Sequence, residues 1–146
     1  MAVMSKPSLR TALAAVLASA ALHCSATEMA VIVSAKSVVS MLRPEQAADI
    51  FLGHAGSFPE GGQATALDQP VGSPLRDEFY SRLTGKSPAL MKSHWTKMIF
   101  TGRGHPPREL ANSIAIRRLV AENPGMIGYI DKAALDTSVK AVLVLR

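Results

Sequence analysis

Cysteine is nearly absent: Cys24 is the one thiol among 146 residues, which excludes an intramolecular disulfide and any metal site built on paired thiolates. No run of five basic residues occurs. Lys and Arg number 16 against 11 Asp and Glu, a net charge of +5, but they are scattered, so no nucleic-acid-binding tail is indicated. The His54, His94 and His105 positions have neither HxxxH nor HxH spacing, and no metal or other cofactor is expected. A G-x-S-x-G elbow is missing, and no nucleophile and base identify themselves as partners, so the sequence reads as non-enzymatic. Internal repeats and low-complexity stretches are absent after residue 26. What remains is 48% hydrophobic and 18% charged residues, the make-up of one compact globular domain.

The first 26 residues read as an export signal. Lys6 and Arg10 form a positive start, Thr11 to Leu22 is an apolar stretch too short to span a membrane, and Cys24-Ser25-Ala26 supplies small residues before a cleavage site. Cleavage is predicted after Ala26. His23 beside Cys24 argues against lipidation. A domain over residues 27–146 would then lack cysteine and carry a net charge of +3 once Lys6 and Arg10 leave. A periplasmic location follows from this reading.

The domain reads as alternating strands and helices. Met29 to Ser34 is a β-branched run with strand character. A helix follows, with Pro44 in its first turn and Ala47, Ala48, Phe51 and Leu52 on its apolar face, and Gly53 ends it. Gln63 to Leu67 resembles a short strand leading into the loop Asp68 to Ser73. Ser73-Pro74 and Ser87-Pro88 both predict helix starts, because serine caps free amides and proline lacks the N–H that would be unpaired at the first position. The first of these helices carries Leu75, Phe79 and Leu83 at helical spacing and stops at Gly85. The second has Met91, Trp95, Met98 and Ile99 as its core stripe. A third helix is predicted over 107–122, with Leu110, Ile114 and Val120 inward, stopped by Asn123-Pro-Gly125. Ile127 to Ile130 and Val139 to Leu145 read as closing strands. The order defines an α/β domain.

The best candidate site is the turn Gly72-Ser73 feeding a helix, since a helix N-terminus offers unpaired N–H donors and a partial positive charge to an oxyanion. Arg76, one turn on, adds a fork of N–H groups suited to phosphate or carboxylate. An ordinary cap, with the serine satisfied by its own helix, is the more frequent use of this pattern. Thr101-Gly-Arg-Gly-His105 has glycines but no Gly-Lys-Ser/Thr ending, so Arg103 is read as part of a solvated turn. Arg117-Arg118 is read as a solvated helix face.

Four separated segments carry a resemblance: Ala48-Asp-Ile-Phe-Leu-Gly53, Asp68-Gln-Pro-Val-Gly-Ser-Pro-Leu-Arg76 with Phe79 after it, Ile99-Phe-Thr-Gly102, and Asn123-Pro-Gly-Met-Ile-Gly-Tyr129. In order and spacing they resemble the phosphate-binding subunits of ABC transporters, a type II periplasmic-binding-protein family. The resemblance implies a single lobe of that fold, a mixed sheet flanked by helices, and phosphate or a similar oxyanion held by Gly72, Ser73 and Arg76. Pro74-Leu75 stands where the family usually has Gly-Thr. The phosphate loop of the family's first lobe has only Ser34 and Ser37 as faint substitutes. A homodimer or an unrelated partner would supply the missing wall, and a membrane transporter or sensor would act downstream. The alternative is a periplasmic protein-interaction or sensory module that keeps the fold and has lost ligand binding.

Overall fold

A computed structural model describes residues 27–146. The predicted export signal and its cleavage site lie outside the described residues. Five strands, β1 (Met29–Ser34), β2 (Thr65–Asp68), β3 (Arg108–Glu109), β4 (Met126–Asp131) and β5 (Val139–Leu145), form one sheet in the order β3-β2-β4-β1-β5. Strand β1 is antiparallel to both β4 and β5, whereas β2 runs parallel to β4 and β3. The sheet is therefore mixed, as expected.

Helices cover both faces because β1 is buried along its whole length and its side chains alternate. Met29, Val31 and Val33 point to a core built with α1 (Pro44–Phe51), α2 (Pro74–Thr84) and α3 (Pro88–Phe100). Ala30 and Ile32 point the other way, to a core shared with Ile116 and Val120 of α4 (Ser113–Glu122). Helix α4 approaches β4 so closely that a Cβ at Gly128 would lie 2.5 Å from Cγ2 of Ile116. Glycine is required there by space. Among the described residues no helix is long and apolar enough to cross a membrane.

Both Ser-Pro starts are realised: Ser73 and Ser87 are N-caps whose hydroxyls accept from Arg76 N and Leu90 N, and Gly85 closes α2 in a left-handed conformation, φ +72°. Three expectations fail. The helix predicted over 107–122 begins only at Ser113, because Arg108 and Glu109 pair with Leu67 and Asp68 as a strand and Leu110 N donates to the Asp68 carbonyl. Asn112 is the true cap, its Oδ1 accepting from Ala115 N at 2.9 Å. That shift turns Ile114 outward and puts Ile116 in the core. Ile99, expected in the α3 stripe, is 56% exposed, while Met91, Trp95 and Met98 are buried. Arg117 is not simply solvated: it pairs with Asp136 at 3.1 Å and donates to the Ala134 carbonyl.

Candidate functional site

The end of β2 carries a buried carboxylate. Asp68 is 1% exposed and accepts from four groups: Gln69 N at 2.8 Å and the Tyr129 hydroxyl on Oδ1, and the Tyr80 hydroxyl at 2.8 Å and Arg76 Nε at 3.3 Å on Oδ2. Burial raises the Asp68 pKa above the ordinary carboxyl value, while the hydrogen bonds from Tyr129, Tyr80 and Arg76 and the Arg76 charge oppose the rise. Both phenols are pushed far above their usual pKa, first by burial and then by the adjacent carboxylate. An aromatic cluster seals the group: the Phe79 and Tyr129 rings stack at 3.6 Å, and Phe51 meets Phe79 edge-on at 4.9 Å.

This node fixes the loop that opens α2. Gly72 adopts φ +86°, a conformation that disfavours a side chain. Ser73 N donates to the Pro70 carbonyl and Ser73 Oγ accepts from Arg76 N, so the ordinary-cap use of this serine is present. The N–H groups of Gly72 and Leu75 have no protein acceptor among the described residues. Arg76 is 7% exposed; its Nε is spent on Asp68, and its guanidinium carbon lies 5.1 Å from the Tyr80 ring centre. Its two terminal nitrogens have no protein acceptor among the described residues.

The three residues expected to form one cradle are divided. Gly72 and Arg76 line a cavity of about 550 Å³ between the loop, α2 and α3. Ser73 lines a second cavity of about 440 Å³, whose other wall is the N-terminus of α4, at Asn112 and Ser113. There Ser113 Oγ accepts from Gln69 Nε2 at 3.2 Å and from Asp131 N at 3.1 Å. Two helix N-termini thus face one another across the second cavity. Asp68, Tyr80, Gln69 and Ser113 were not singled out from the sequence. The one available signal was a carboxylate at a strand end eight residues before an arginine.

The remaining sequence candidates lie elsewhere. Ser34 donates to the Ala121 carbonyl, 87 residues away, and Ser37 accepts from Val39 N in a local turn; Ser37 lines a separate cavity with Gly61 and Gly125. Arg103 and His105 are exposed. His54 and His94 do meet edge-on at 5.5 Å, but no group of three metal-ligating side chains occurs among the described residues.

No family model matches the chain, and no curated protein is similar to it. Solved structures are similar. A phosphate ABC transporter substrate-binding protein from Clostridium perfringens, with bound phosphate, superposes with a TM-score of 0.63 at 25% identity, over 80% of this chain and 45% of that one. An ABC-type phosphate transport receptor from Vibrio cholerae gives 0.62 at 20% identity, over 80% and 46%. PstS from Borrelia burgdorferi gives 0.56 at 12% identity, over 82% and 47%. The chain therefore has their fold and spans less than half of their length. These likenesses support the family that the four motifs resemble, and the neighbours are binding proteins by name.

Proposed function

We propose that this chain, which has the fold of phosphate ABC transporter substrate-binding proteins, is an exported, non-enzymatic receptor for phosphate or a similar oxyanion that delivers to a membrane transporter. The observation that carries the proposal is the set of unspent donors at the opening of α2. The Gly72 amide and the terminal nitrogens of Arg76, on one cavity, and the Leu75 amide, on the neighbouring one, lack protein acceptors among the described residues, at a helix end whose dipole favours negative charge. The Ser73 hydroxyl keeps its proton as a donor on the side of the neighbouring cavity, because its oxygen acts only as an acceptor in the cap. Proline at position 74 removes one amide from the cradle, which lowers the affinity.

A thermal melt in phosphate, sulfate and chloride at matched ionic strength tests this reading. A phosphate-selective rise of the midpoint is expected, since a ligand at about 100 times its Kd stabilises by about 2.7 kcal/mol. The rise should vanish in a Ser73→Ala, Arg76→Gln double variant that retains its fold. A flat response in all three salts sinks the proposal and favours the second reading, an interaction module. That reading has its own observation: Leu90 and Phe100 are apolar residues of α3 left exposed, Phe100 almost fully.

A further inference from the structure

The cavity that receives the unspent Arg76 nitrogens is not shaped for a small inorganic ion. Its volume, about 550 Å³, falls among sites that enclose organic molecules and is several times what phosphate fills. Its apolar lining comes from Val71, Pro88, Ala89, Trp95, Ile99 and Pro107. An ion seated at Arg76 alone would leave these walls in contact with water.

Charge restricts the head group. Asp68 already offsets Arg76, and on the remaining wall Asp77 and Glu109 outnumber Lys92. Glu109 is held in place there, its Oε1 accepting from Val71 N at 2.6 Å. A dianion would meet net repulsion, whereas a singly charged head keeps the hydrogen bonds from the guanidinium at a smaller electrostatic cost.

Building on the oxyanion reading, we infer that the ligand is an organic monoanion, an oxyanion head of the phosphodiester class carrying an apolar group, with the head on Arg76 and the Gly72 amide and the apolar group against Trp95 and Ile99. Titration calorimetry on the purified protein, with diphenyl phosphate, inorganic phosphate and benzyl alcohol as probes, tests it. Diphenyl phosphate is expected to bind at least about tenfold more tightly than inorganic phosphate. Ile99→Gln, a change at an exposed wall position, should remove most of that advantage and leave the affinity for inorganic phosphate unchanged. Equal or tighter binding of inorganic phosphate overturns this inference while leaving the oxyanion reading intact. Benzyl alcohol binding as well as diphenyl phosphate, or an Ile99→Gln variant with an unaltered ratio, also overturns it. Binding of none of the three removes both.

Discussion

Helices α2 and α3 begin with the same two residues and the same serine cap, yet they meet different fates. Helix α2 buries Arg76, Phe79 and Tyr80, stacking an aromatic on Tyr129 and tying two polar groups to Asp68. Helix α3 buries Met91, Trp95 and Met98 and leaves Phe100 92% exposed. The local start signal is the same, so the difference lies in what each helix can reach. Helix α2 reaches the end of β2 and a buried carboxylate, whereas α3 rests a narrow stripe on the first core and leaves a cavity beside it. Capping sets where a helix begins, and tertiary partners decide how firmly it is held.

The largest effect that would break this comparison is expected at Asp68. Asp68→Ala strips the Arg76 charge of its partner in a buried setting, which should cost about 3–5 kcal/mol, read from urea unfolding at neutral pH; a cost below about 1 kcal/mol would mean the node does not anchor α2. The pH dependence has a definite sign. A carboxyl whose folded pKa lies above its unfolded value contributes most below the unfolded value, and its contribution falls as pH climbs through the interval up to the raised value. That decline, above the ordinary carboxyl value, should be missing from the variant when the two stability curves are compared. The exposed Glu28 and Asp136, whose pKa values are lowered by Lys132 and Ser138 respectively, act in the opposite direction in both proteins and cancel.

A smaller effect sharpens the comparison. Ser73→Ala and Ser87→Ala each remove one cap bond and should each cost about 1 kcal/mol, measured by thermal unfolding. Equal costs would show that the two starts are energetically alike and that the helices part company only in packing. A several-fold larger cost at Ser73 would place part of the Asp68 node in the cap. Smallest of all, Phe100→Ser should change stability by no more than about 0.5 kcal/mol. A loss of 2 kcal/mol or more would show that the ring is covered in solution.

Much of the architecture was legible because it was local. The two Ser-Pro starts, the stop at Gly85 and the strands at Met29 and Val139 rest on capping, proline and β-branched character within a few residues. The errors were non-local. Pro107 suggests a helix start without a capping serine before it, and pairing of Arg108 and Glu109 with β2 overrides that suggestion. Ile99 matches the α3 spacing, yet it borders the open cavity and stays exposed. The site shows the same division. The Gly72-Ser73 turn is visible in the sequence, while the contact from Tyr129 to Asp68 spans 61 residues and leaves no trace in spacing. Arg76 is tied to the other oxygen of the same carboxylate, so its placement beside the cavity depends on a node that spacing does not reveal.

Strand β1 is enclosed on both edges by β4 and β5, the last two strands in the sequence. Until those two strands dock, β1 is a six-residue ribbon rich in β-branched residues with both rows of backbone groups unpaired. Sheet assembly therefore waits on residues 126–145, and a chain cut short before residue 126 presents a strand able to pair with a neighbouring chain.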